Sequence, residues 1–235
     1  LDLICFPNLS RESFYDPVKR FVEQYGKDEL AIYVKCRWGI SGVLYSMGLV
    51  GLTYALYNNP RLVERLLDRY VEWNCQLVER LNTIGIDFIM NYDNIACNHG
   101  PLVVPKVFKE LFVPKIKLVA EKCRLPWVYH SDGNLMPVME DILSLGMDGL
   151  HPLDPGGMDI KKVKEAYGDK VCLWGNIDLR HTLTKGSREE VEAEVKQRIK
   201  EVGPKGGFIL GSANSLPDYC KVENIWAMAK SVKKY

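Results

Sequence analysis

Six short apolar runs recur along the chain, and a longer stretch with mixed polar and apolar character separates each from the next. The runs span 31–36, 87–91, 127–130, 149–151, 171–175 and 208–211, and each leads into polar, Gly or Pro residues. Short apolar runs bounded in this way are typical of buried parallel strands. Strands that alternate with amphipathic helices imply a parallel sheet with right-handed crossovers. A closed (β/α)8 TIM barrel needs eight such units. The expected fold is therefore α/β: one barrel domain over 1–235 that lacks its N-terminal one or two βα units. An open doubly wound sheet is the competing architecture.

Helix signals fill the intervals. Asn59–Pro60 places a capping side chain before a proline at the first helical position, ahead of LVERLLDRYVEWNCQLVERL. Pro105 opens a second helix, which Pro114 is expected to kink or divide. Asn134 and Asp159 cap the next two, which end near Gly146 and Gly168. Ser187 and Glu190 have capping-box spacing, with Val191, Val195, Ile199 and Val202 as the buried stripe behind them. The last helix, from Lys221 to Tyr235, is expected to bury Ile225, Met228, Ala229 and Val232.

Charge excludes some functions. Thirty-one basic and thirty acidic residues give a formal net charge of +1, so nothing steers the chain to nucleic acid or an acidic membrane. The most apolar stretch, 40–57, is interrupted by Ser41, Ser46, Thr53 and glycines, and reads as too broken for a membrane span. No signal peptide is visible at Leu1. Seven scattered cysteines without a CxxC pair suit free thiols in a reducing, cytoplasmic compartment.

In a parallel barrel, function sits where strands end. Here those points carry Arg37; Asp93, Asn94 and His99; His130, Asp132 and Asn134; His151 and Asp154; Asn176 and Asp178; and Ser212, Asn214 and Ser215. His130-Ser131-Asp132 is the sharpest candidate, because residues i and i+2 at a strand end can turn to one mouth. An imidazole and a carboxylate so placed share a proton or hold a metal. Equally, Asp132 caps the turn before Gly133 and His130 bonds to backbone. Asp93 is a base or anchor, or a turn cap. Asp178 points into the mouth or caps the turn toward Arg180. His151 is a substrate contact or a core histidine, and His181 belongs to the surface. No GxGxxG, P-loop, HExxH or GxSxG occurs, so no nucleotide cofactor is expected.

The strand-end segments resemble the uroporphyrinogen decarboxylase superfamily. The matching stretches are NNPRLVERLLDR, DFIMNYDN followed by GPLVVPKVFKELFVPKIK, HSDGN, GMDGLHPLDP, YGDKVCLWGNID, and GGFILGSANSLP with VENIWAMAKSVKKY, in family order over nearly the whole chain. The resemblance implies a barrel with its site in the mouth. In the methylcobalamin:coenzyme M branch it implies zinc on a His-x-Cys pair and a later Cys. His130 matches the first ligand, Asp132 stands at the first thiol, and Ser212 to Asn214 lack the second. His130 and Asp132 are thus the tentative metal residues, with the third protein ligand unassigned and zinc left open. The decarboxylase branch has a late LGHG-type motif where this chain reads LGSAN, and Tyr45 lies near its GxP-type segment in a poorly matching context. Its arginine-rich motif would lie upstream of Leu1.

HSDGN and SANSLP look most like the corrinoid-dependent, demethylase-type methyltransferases. Such enzymes move a methyl group from a methoxylated or methylated small molecule to the cobalt of a partner corrinoid protein. The resemblance then implies catalysis by His130, Asp132 and Asp93, with Asn94, His151, Asn176, Asp178 and Asn214 contacting substrate. The partners implied are the methyl donor and the corrinoid protein, with a homodimer compatible and no nucleic acid or membrane. The alternatives are uroporphyrinogen decarboxylation and a degenerate, non-catalytic ligand-binding barrel.

Overall fold

The computed structural model describes residues 4–26 and 30–235. The strands are β1 (Tyr33–Cys36), β2 (Phe88–Tyr92), β3 (Ala96–Cys97), β4 (Gly100–Pro101), β5 (Trp127–His130), β6 (Gly149–His151), β7 (Cys172–Ile177) and β8 (Phe208–Ser212). The six longer strands form one sheet in the order β1-β2-β5-β6-β7-β8, and β3 pairs with β4 alone in an antiparallel ribbon. Pairing is parallel in β1–β2, β6–β7 and β7–β8, with Cys36 opposite Asn91 and Asn176 opposite Gly211. A doubly wound sheet reverses its strand order at a switch point. This sheet follows chain order throughout, which is the strand order of a (β/α) barrel.

The helices are α1 (Asp16–Tyr25), α2 (Ile40–Asn58), α3 (Pro60–Leu81), α4 (Pro105–Val107), α5 (Val113–Ala120), α6 (Met139–Leu143), α7 (Ile160–Tyr167), α8 (Arg188–Val202) and α9 (Val222–Val232). The chain divides into two compact units. One holds the residues up to Ile95 with Val103–Tyr129 and Val138–Met147; the other holds Ala96–Leu102, His130–Pro137 and Asp148–Tyr235.

In the first unit, Asn59 caps α3 by accepting from Leu62 N at 3.3 Å, and Val63, Leu66, Leu67, Val71, Leu77, Val78 and Leu81 form its buried stripe. Pro114 acts on the turn before it. It has no N–H for the carbonyl four residues back, and a π-turn over Phe108–Phe112 separates α4 from α5. The stretch 40–57 follows the sequence expectation in part. Gly48, at φ +69, breaks α2 into two helical pieces, although taken as one nineteen-residue segment α2 is long and apolar enough for a membrane span by length and composition alone. The serines and threonine do not interrupt it, because their hydroxyls can bond back to the helix. Ser46 donates to Gly42 O and Thr53 to Leu49 O.

In the second unit, the capping box of α8 is complete in both directions. Val191, Val195 and Val202 are fully buried, and Ile199 packs beside them. The stripe expected on α9 holds at Ile225 and Met228, which pack against the core, and is corrected at the other two positions. Ala229 and Val232 are exposed, while Asn224 and Ser231 are buried. Asn224 takes the inward position because its Nδ2 donates to Thr182 O at 3.1 Å and Gly186 O at 3.0 Å, satisfying carbonyls of the 182–186 turn.

Candidate functional site

Two strand-end side chains of the first unit, Asp93 and Tyr129, are sealed from solvent. Asp93, just beyond β2, is fully buried, and its Oδ1 accepts from Ser41 N at 2.6 Å. It therefore caps the start of α2. Burial pushes its carboxyl above the usual range, and the N–H groups of Ser41, Ile40 and Gly39 pull the other way. Asn91 Oδ1 accepts from Trp38 N at 3.1 Å. Tyr129, at the end of β5, is also fully buried, and burial followed by the Asp93 charge raises its hydroxyl well above normal. Asn94 is half-buried in the loop after β2.

The strand ends of the second unit form a connected polar cluster. Ser131 N donates to His151 O at 3.0 Å and ties the ends of β5 and β6 together. His130 is fully buried, and its Nδ1 meets His151 Nδ1 at 2.6 Å. The two rings lie 4.8 Å apart at 32°, and Trp174 of β7 stands 4.8 Å from the His151 ring. On the remaining edge of His130, Nε2 lies 3.9 Å from Asp132 Oδ1. That same oxygen accepts from Asn214 Nδ2 at 2.8 Å, which joins the loop after β8 to the loop after β5.

Gly133 makes the turn after Asp132 feasible. Its φ is +81, and a Cβ there would sit 2.5 Å from the Cys97 carbonyl. That carbonyl accepts from Asn134 N at 2.9 Å and pins the loop to β3.

Two expected residues have backbone partners. Asn176 is buried and donates to Leu153 O at 2.8 Å. Asp178 accepts from Arg180 N at 3.2 Å and His181 N at 2.7 Å, which is the turn-capping geometry. His181 is exposed and faces Glu190 at 3.4 Å. Sequence reasoning overlooked Trp174, whose only signal was a large aromatic two residues before the strand-end Asn176.

A consecutive parallel sheet with polar loops at its strand ends defines an α/β protein of the barrel class. A family model described as uroporphyrinogen decarboxylase (URO-D) matches residues 13–235, and the chain belongs to that family. A relative from Chlorobium luteolum, named uroporphyrinogen decarboxylase, is 28% identical over 158 residues, 63% of this chain and 41% of that protein. One from Coxiella burnetii with the same name is 21% identical over 190 residues, 77% of this chain and 49% of that protein. The chain thus spans about two fifths to a half of these relatives.

Among solved structures, a methyltransferase from Methanosarcina mazei superposes with a TM-score of 0.80 at 21% identity, covering 92% of this chain and 62% of that one. A B12-independent methionine synthase from Shewanella sp. W3-18-1 gives 0.63 at 13% identity, covering 99% and 70%. At such identities these two establish the fold alone.

A zinc ion, as in the thiolate branch, needs three protein ligands. Among the described residues no three His, Cys, Asp or Glu side chains are grouped to hold a metal. His130 Nδ1 points at His151 Nδ1 and so is not directed with it at a common ion, and Ala213 offers no donor. This donor set does not fit zinc.

Proposed function

We propose that the chain carries the methyl-donor site of a corrinoid-dependent methyltransferase. The reaction moves a methyl group from an ether or amine to the cobalt of a partner corrinoid protein. The observation that carries this reading is the line His151–His130–Asp132–Asn214. An ether oxygen or amine nitrogen leaves poorly unless a proton neutralises it as the bond to methyl breaks. When bound, the corrinoid's cobalt supplies the nucleophile that receives the methyl carbon.

Facing Nδ1 atoms 2.6 Å apart require one ring to donate and the other to accept. In the singly charged pair, His130 donates from Nδ1 to His151 and holds its other proton on Nε2, toward Asp132. The Nε2 proton, buried with His130, reaches the leaving heteroatom through the partly exposed Asp132, and its delivery returns the histidine pair to neutrality. Asp132, held by Asn214, stabilises the charged form and orients the ring. Trp174 packs against His151. The likeness to the Methanosarcina methyltransferase supports a barrel suited to this chemistry.

The names of the curated relatives favour a second reading, uroporphyrinogen decarboxylation. One experiment separates the two. The protein is mixed with a reduced corrinoid protein and either a methoxyarene or a methylamine, and cobalt absorbance is followed. Transfer that is lost in His130→Gln and Asp132→Asn supports the proposal. Failure with both donor classes, or transfer that both variants retain, overturns it. Decarboxylation of uroporphyrinogen by the same preparation would establish the second reading.

A further inference from the structure

We propose that Lys35 and Arg37 form an oxyanion site for a small molecule bearing carboxylate or phosphate groups. Both residues lie outside the His130 cluster, and an oxyanion can bind them whatever reaction that cluster serves. Tyr33, Lys35 and Arg37 are the exposed positions of β1 and its exit, whereas Cys36 and Trp38 are buried. Lys35 and Arg37 therefore stand on one face of the strand, about 6.6 Å apart by the strand rise.

Aromatic faces hold both cations. Lys35 Nζ lies 5.1 Å from the Tyr92 ring centre, and Arg37 Cζ lies 5.3 Å from that of Tyr45 and 5.9 Å from that of Tyr92. The backbone beneath is fixed as well, since Asn74 Nδ2 donates to Arg37 O at 2.8 Å.

Among the described residues neither cation has a carboxylate partner. Other basic residues of the same unit do: Lys115 pairs with Asp68 and Glu64, and Lys122 with Glu79. The nearest acid along β2, Asp93, is buried and accepts from Ser41 N.

A π face holds a cation in place without neutralising it, and leaves its N–H donors available at the rim. Two oriented, uncompensated cations at the C-terminal end of a parallel strand are placed where folds of this class bind ligands. Their spacing suits either two carboxylates on one molecule or a single phosphate between them. Arginine takes an oxyanion through paired N–H groups, and lysine takes it as a point charge.

Isothermal titration of the whole chain with glutarate, and separately with inorganic phosphate, tests the site. At least one probe should saturate, and the tighter one tells a dicarboxylate from a phosphate ligand. Arg37→Met and Lys35→Met should each weaken it about 10- to 100-fold, the usual effect of losing a charged hydrogen bond. Both side chains are exposed, so unchanged thermal midpoints should accompany the loss. If neither probe saturates, or if both variants bind as tightly as the parent, the proposal is wrong.

Discussion

Asp93 and Asp132 both follow a strand end by one or two residues, and their surroundings differ in almost every respect. Asp93 is sealed from solvent, accepts from a backbone N–H at a helix start, and is pushed toward its neutral form by burial. Asp132 keeps 29% of its side chain exposed, accepts from a side-chain amide, and faces an imidazole. The first arrangement holds a loop in place. The second can exchange a proton with a molecule arriving from solvent. A carboxylate at a strand end is therefore a chemical candidate only when its partners can change protonation and solvent can reach it.

The largest expected effect lies on the second side of this contrast. His130→Gln should lower methyl transfer by about 10²- to 10⁴-fold, the range for losing a positioned general acid. Single-turnover absorbance of the corrinoid reads it. A loss of less than about threefold would place the proton donor elsewhere.

Next in size is a stability effect on the first side. Asp93→Ala removes the cap of α2 and empties a sealed position. It should cost about 2–3 kcal/mol, as for a buried group left without its partner. Urea unfolding measures it, and an unchanged midpoint would mean that Asp93 does not hold α2.

Gly133→Ala probes the turn that presents Asp132. A Cβ would press on the Cys97 carbonyl and meet an unfavourable positive φ, at an expected cost of about 1–2 kcal/mol. The same displacement should slow transfer, because Asp132 moves with the turn. Unfolding curves and rates taken together decide this. Slower transfer without any loss of stability would contradict the steric account.

The subtlest test is one of pH. Burial raises the Asp93 carboxyl, so the folded chain keeps a proton that the unfolded chain has already released. Its contribution to stability is then complete below the unfolded value, near about 4, and is lost as pH rises through the folded value. Asp93→Asn should remove that part of the slope while keeping an oxygen for Ser41 N. Identical pH profiles for parent and variant would show that Asp93 is ionised at little cost.

Much of this was legible in the sequence because it depends on neighbours along the chain. The strands at 127–130 and 149–151, the Asn59–Pro60 start of α3, the Asp159 cap of α7 and the Ser187–Glu190 box all act within a few residues. So does the turn-capping role of Asp178. The 40–57 stretch was harder to read. Its glycines signal the break that Gly48 makes, whereas packing of Ile40, Val43 and Leu52 and the cap from distant Asp93 keep the stretch helical at its hydroxyl residues. On α9, periodicity could not anticipate that Asn224 would turn inward, because the carbonyls it satisfies lie about forty residues away.

The HSD segment disclosed which side chains could carry chemistry, while their pairing came from strands brought together in space. His151 stands 21 residues beyond His130, and Asn214 stands 82 beyond Asp132. Caps and turns are local hydrogen-bond choices that a few adjacent residues determine. The polar cluster is a set of contacts between separate strand ends, and only the lateral order and register of the sheet decide which of those ends meet.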